Sequence, residues 1–209
     1  MLWGITGCSG TGASTVAAVW KMLGADVCSL DKVGHRFLGK LSVKRALEAE
    51  LGITGLSGMF QKEIRNQLRD KAFAQPEILK GINSVLHPRL KRWVSRSGEK
   101  LKEKRGVFVL DGALIFELGL DRYMNYLITV TDELDRVMGR LRARDGVSAE
   151  TVIGRWDSQI SIKEKSFRSH FEISNEDTEE KLKMKAEKFY KGVIQPMEEA
   201  RWHTEQERN

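Results

Sequence analysis

The chain has 209 residues, 41% hydrophobic and 31% charged, enough for one globular domain with a buried core and unlike a disordered or fibrous polymer. Its net charge of +6 suits a polyanionic partner, either nucleic acid or a ligand carrying several phosphates. Two cysteines make no disulfide framework, no segment approaches the ~18 apolar residues of a membrane span, and the first residues lack a signal-peptide pattern, so a cytoplasmic protein is expected.

Leu2 to Thr6 is a short apolar run ending in glycine, the pattern of a buried strand entering a turn. Ser14 to Leu23 carries Val16, Val19, Trp20 and Leu23 at helical spacing and stops at Gly24. Ala25 to Leu30 is expected as a second strand, Val33 to about Leu51 as a helix, and residues 52–58 as a loop. Lys62 to Phe73 and Glu77 to Arg96 follow as helices broken by Pro76, and the basic run Lys100 to Arg105 as a solvated helix end. Val107 to Leu110 is a third buried strand ending at Asp111, and Tyr126 to Val130 a fourth. Helices are expected over Glu133 to Arg144 and Ser148 to Gln159, a last strand over Phe171 to Ser174, and a closing helix from Glu179 to about Arg201. Strands alternating with helices imply a parallel sheet covered on both faces, a three-layer α/β/α domain over residues 1–209.

The segment G-C-S-G-T-G-A-S-T, Gly7 to Thr15, follows a strand and opens a helix, the setting a phosphate-binding loop requires. Gly7, Gly10 and Gly12 permit backbone angles that turn successive N–H groups toward an anion, Thr11 lying between them. The helix beginning near Gly12 adds unpaired N–H groups and the positive end of its dipole. Ser14 offers a hydroxyl to Mg²⁺, and Thr15 caps or contacts a further phosphate. In the pattern G-x-x-x-x-G-K-[ST] the lysine position is Ala13, so a point charge on the phosphates is missing. Lys21 cannot replace it, lying about 12 Å further along the helix.

Five further segments occur in order: S-L-D-K-V-G-H from Ser29; R-N-Q-L-R-D-K-A-F and P-E-I-L-K-G-I-N-S-V-L-H-P, ending at His87 and Pro88; L-D-G-A-L-I-F-E from Leu110; R-L-R-A-R-D-G-V-S-A-E with G-R-W-D-S-Q, which holds Arg140, Arg144, Arg155 and Gln159; and F-E-I-S-N, ending at Asn175. With the glycine loop they resemble the dephospho-coenzyme A kinases, relatives of the nucleoside monophosphate kinases, collinearly from residue 2 to about Asp177. Ala13, Ser29 and Ala113 depart from that family's pattern. On the residues alone, Asp31 suits a base or a helix N-cap, Asp111 a water-mediated metal contact or a turn, and Arg140 with Arg144, spaced i,i+4, a phosphate clamp or a solvated face. His87 before Pro88 is expected to shape a turn or meet the coenzyme.

The resemblance implies ATP and Mg²⁺ as cofactors, a helical substrate insert over residues 32–100, a lid over 140–165, and phosphate transfer to the ribose 3′-hydroxyl of dephospho-coenzyme A. It implies Asp31 and Arg140 as catalytic groups. Gly7, Gly10, Thr11, Gly12, Ala13, Ser14, Thr15, Arg144 and Asn175 would bind nucleotide, with Asn175 near the adenine. Asp31, Arg65, His87, Leu114 and Arg155 would meet substrate, and Ser14 with Asp111 would hold the metal. Two readings stay open. In one, another cation (a lid arginine, Lys40 or Lys62) replaces the missing lysine; in the other, the chain binds nucleotide or coenzyme without efficient transfer. No nucleic-acid motif and no membrane segment accompanies the charge, and the small-molecule substrate is the partner expected.

Overall fold

The computed structural model describes residues 1–102, 104–146 and 148–206, apart from the side chains of 69, 70, 72–74, 76, 102, 144, 145, 205 and 206. It divides into two compact units, residues 1–28 with 97–209, and residues 29–96.

The first unit is built on a five-stranded parallel sheet: β1 (Leu2–Thr6), β2 (Asp26–Ser29), β3 (Phe108–Asp111), β4 (Tyr126–Thr131) and β5 (Phe171–Ser174), ordered β2-β3-β1-β4-β5. β1 is central, with Trp3 beside Val109 on one neighbour and Tyr126 on the other. Its side chains Trp3 and Ile5 are fully buried, as a strand covered on both faces demands. Helix α1 (Ala13–Met22) packs Val16, Val19 and Trp20 into this core, where α9 (Glu179–Phe189) meets it with Leu182 and Ala186. The Trp20 indole N–H donates to Ala186 O at 3.0 Å, so the largest side chain of α1 is buried without an orphan donor. Helices α6 (Leu134–Asp145), α7 (Ala149–Asp157) and α8 (Ile162–Arg168) follow β4. Val137, Leu141 and Val152 join α6 to α7 in a small apolar cluster of their own.

The closing helix differs from the expectation of one continuous element. It is α9, a wide π turn over Tyr190–Ile194, and α10 (Gln195–Gln206). Pro196 is the physical cause: it has no N–H to give a regular turn, and the wide turn absorbs the missing bond.

The second unit contains α2 (Leu30–Leu38), α3 (Leu41–Leu51), α4 (Gln61–Ala74) and most of α5 (Pro76–Lys102). The single helix expected from Val33 to Leu51 is therefore two. The break falls at Gly39 and Lys40, where the chain turns extended before α3. Leu30, expected in the second strand, instead opens α2, because Ser29 caps the helix by accepting the Lys32 N–H. The basic run expected as a helix end and turn continues α5 as far as Lys102. Pro88, expected at a turn, lies within α5. Its missing N–H costs one rung of the ladder, and the helix carries on around it. Val33, Phe37, Leu47, Ile64, Val85 and Val94 form buried positions of this unit, and Glu48 ties the following loop by accepting the Ser57 N–H at 3.0 Å and its hydroxyl at 2.8 Å.

Burial pushes the pKa values of His35 and His87 below the ordinary 6.5, with Arg65 and Lys91 respectively adding repulsion. Below pH 6.5 the unfolded chain thus binds more protons than the folded one, so stability from these groups is full above that pH and lost as pH falls. The urea midpoint should drop as pH falls below about 6.5, before the range in which carboxylates protonate is reached. Replacing both histidines by glutamine should flatten that drop; an unchanged drop would assign it to other groups.

Candidate active site

The C-terminal ends of β3, β1 and β4 place three acidic or glycine-rich segments side by side. Asp111 ends β3, the loop from Gly7 follows β1, and Asp132 follows β4. Ligands of open α/β sheets bind at such ends.

The loop is held by its own short bonds. Thr11 N–H and Thr11 Oγ1 both donate to Cys8 O, at 3.1 and 3.0 Å. Gly10 and Gly12 have φ of 90° and 102°, angles that a side chain would strain. A Cβ on Gly12 would also stand 2.8 Å from both Asn175 Nδ2 and Leu182 Cδ2. Gly12 caps α1 in the left-handed conformation, without a side chain in front of the first N–H groups of the helix. Ala13 is the first residue of α1, and Thr15 N–H is already bonded to Gly12 O at 3.0 Å.

Ser14 and Asp111, expected together on a metal, are brought together: the Ser14 hydroxyl donates to Asp111 Oδ2 at 2.9 Å. A hydroxyl and a carboxylate are hard oxygen donors suited to Mg²⁺, which keeps water and phosphate oxygens as its other ligands. No group of three or more His, Cys, Asp or Glu capable of a denser cage occurs among the described residues.

On the other side, Arg140 from α6 donates through Nη2 to Gly10 O at 3.2 Å and also to Asp132 Oδ2. Asp132 was not legible as a site residue. Its side chain is wholly buried and also accepts the Glu133 N–H at 2.7 Å and Arg136 Nε at 2.9 Å. The signal was present: an acid directly after a buried strand, with arginines four and eight residues on. The carboxylate in turn raises the Arg136 pKa. The Arg144 side chain lies outside the described residues.

Asn175, expected near the adenine, is buried and donates through Nδ2 to Thr11 O at 2.8 Å, bracing the loop from β5. Leu114 is half-buried in the turns after β3, its carbonyl accepting the Leu118 N–H, and Arg155 is half-buried on α7. Asp31, Arg65 and His87 belong to the second unit. Asp31 is exposed in the first turn of α2, one residue into the helix rather than at a strand end. Arg65 is exposed on α4, close enough to His35 to lower its pKa, and His87 is half-buried on α5.

A third support was invisible in the sequence, where Lys165 is one of several charges. The Lys165 side chain is fully buried and donates to Glu117 Oε1 at 2.8 Å and to Ala113 O. Glu117 Oε1 also accepts the Ile160 N–H at 2.9 Å, while Gln159 Oε1 accepts the Ser9 N–H of the loop at 3.1 Å. Residues 159–165 are thereby fastened both to the loop and to the segment after β3. Cys8 is buried beside them, and burial pushes its thiol to about 11, outweighing the favourable charge of Lys165.

The family model that matches the chain, described as dephospho-CoA kinase, spans residues 1–181. A dephospho-CoA kinase of Thermus thermophilus is 30% identical over 184 residues, 86% of this chain and 87% of its own. One from Dehalococcoides mccartyi is 28% identical over 184 residues, 86% of this chain and 91% of its own. A crystal structure from Thermus thermophilus, 28% identical, superposes with a TM-score of 0.71 over 94% of this chain and 97% of that one.

Two outcomes are expected from this geometry. Iodoacetamide at pH 8 should leave Cys8 unmodified until the protein is unfolded, as read by mass spectrometry, since little of it is thiolate. Lys165→Met should cost about 3–5 kcal/mol in urea unfolding by leaving Glu117 unpaired, and adding Glu117→Gln should restore most of it. A double variant as unstable as Lys165→Met alone would show that the pair's charge is not the cause.

Proposed function

The chain belongs to the dephospho-CoA kinase family, and from that premise we propose that it transfers the γ-phosphate of ATP to the ribose 3′-hydroxyl of dephospho-coenzyme A. The observation that carries this reading is the Ser14–Asp111 hydrogen bond beside an open helix N-terminus, in a chain matched by the family model over residues 1–181. The members of this family are phosphotransferases that act in coenzyme A biosynthesis, with ATP as phosphate donor.

In this mechanism the backbone N–H groups of Gly10, Gly12, Ala13 and Ser14, with the Thr15 hydroxyl, receive the phosphate oxygens of ATP, and the α1 dipole favours their charge. Ser14 and Asp111 would hold Mg²⁺, which when bound offsets negative charge on the phosphates. Arg140 lies against Gly10 O, and a guanidinium there stabilises charge that grows on the transferring group. Arg144 and Arg155 are assigned to the same lid. Asp31 accepts or orients the proton of the attacking hydroxyl. Arg65, His87 and Leu114 are assigned to the substrate, and Asn175 acts by fixing the loop that carries the nucleotide. A lid closing over these groups would exclude water, so that phosphate passes to the hydroxyl rather than to solvent.

A second reading, binding without efficient transfer, is favoured by one observation: Ala13 places no amine at the position where the loop pattern has lysine. Losing one such contact commonly costs factors on the order of 100 to 1,000 in rate. Purified protein mixed with Mg-ATP and dephospho-coenzyme A should form coenzyme A. No product, with nucleotide binding intact, would overturn the kinase reading. Ala13→Lys then separates the causes: a rise on the order of 100-fold marks a site disabled by the missing amine, and a change within a few-fold marks a cation already in place.

A further inference from the structure

The loop is flanked by two carboxylates with different occupants. Asp111 accepts from Ser14, on the side assigned to the metal. Asp132, on the other side, is a wholly buried carboxylate with three donors: its neighbour's N–H, Arg136 and Arg140. A buried carboxylate requires such compensation. Arg136 is also paired with Glu133 at 3.4 Å, so two guanidiniums face two carboxylates, and the Arg140 end of the cluster touches Gly10 O.

We propose that Asp132 is a positioning residue that fixes Arg140 at the phosphate loop, so that this guanidinium supplies the cationic contact Ala13 cannot. The inference rests on the kinase reading for its substrate but not for its nucleotide. Arg140 is 40% exposed, so part of its guanidinium faces solvent while Nη2 is anchored. A flexible side chain loses rotamer freedom when it is ordered around a ligand. Asp132 and Gly10 O place Arg140 beside the loop before nucleotide arrives. Arg136 bonds Oδ1 of Asp132 and Arg140 bonds Oδ2, so each arginine has its own carboxylate oxygen. The apolar contacts of α6 support the placement: a Cβ on Gly10 would stand 2.7 Å from Val137 and 2.8 Å from Leu141, so helix and loop are in direct contact. The lysine of the usual pattern rises from inside the loop; the cation here comes from the neighbouring helix.

The test is a cycle between Asp132→Asn and Ala13→Lys in the full chain. Two quantities are read: the Mg-ATP dissociation constant by titration calorimetry, and kcat for coenzyme A formation. In the Ala13 background, Asp132→Asn should weaken Mg-ATP binding and lower kcat, each by on the order of 10-fold. In the Ala13→Lys background the same change should cost about 2-fold or less, because the cation no longer depends on Asp132. Equal losses in both backgrounds would overturn the proposal and leave Asp132 a purely structural group. So would unchanged binding and turnover in Asp132→Asn. If Asp132→Asn fails to fold, as judged by its thermal transition, Arg140→Gln is tested in the same backgrounds for Mg-ATP binding alone, where its loss should be several-fold smaller with Ala13→Lys than with Ala13, and equal losses would overturn the proposal. The binding arm contains no dephospho-coenzyme A. Failure of the kinase reading therefore appears as missing turnover with the coupling in Mg-ATP binding intact, whereas failure of this proposal appears as missing coupling.

Discussion

The left-handed turn at Gly12 is the constraint on which the site depends. It reverses the chain from β1 into α1 within the loop, and its φ of 102° suits glycine. Because no side chain stands there, Asn175 reaches the Thr11 carbonyl and Leu182 packs close to the same point. The backbone N–H groups at the start of α1 are consequently open to an anion rather than covered. The central position of β1 fixes where this happens, since the strands on either side end in the acids that flank the loop.

Around that turn, charge is arranged in pairs rather than scattered. Ser14 with Asp111 forms an oxygen-rich corner, and Asp132 pairs with Arg136 and with Arg140, which reaches Gly10 O. Lys165 with Glu117 is a third pair, its lysine fully buried, and its work is mechanical: it fastens the segment after α7 to the segment after β3. The distinction follows from exposure. Arg140 is accessible and can meet a ligand, whereas Lys165 is fully enclosed and its charge is spent on its partner. This arrangement gives the loss of the loop lysine a specific physical context: a cation reaches the loop from α6 while none rises from Ala13.

Much of the fold was legible in the residues. The alternation of apolar runs with helical spacing implied a parallel sheet, and Trp3, Ile5, Val16 and Trp20 are buried as that pattern required. Boundaries failed where local capping outweighed composition. Ser29 turned the end of an expected strand into a helix start, Gly39 and Lys40 split one periodic run into two helices, and Pro196 forced a wide turn into another. Pro88 shows the opposite case, a proline whose helix continued because the flanking residues, Val85 and Leu90, are buried.

By itself the sequence determined the glycine loop, its place between strand and helix, the absence of a lysine at Ala13, and the order of motifs by which the family is recognised. These are properties of consecutive residues, and backbone physics reads consecutive residues directly. Only the tertiary structure decided which distant charges meet. Asp111 lies 97 positions from Ser14, Arg140 lies 130 positions from Gly10, and Lys165 lies 52 positions from Ala113. No periodicity encodes such contacts, because they arise from strand order and helix packing. That is why Lys165 reads in the sequence as one of several charges and is fully buried in the fold.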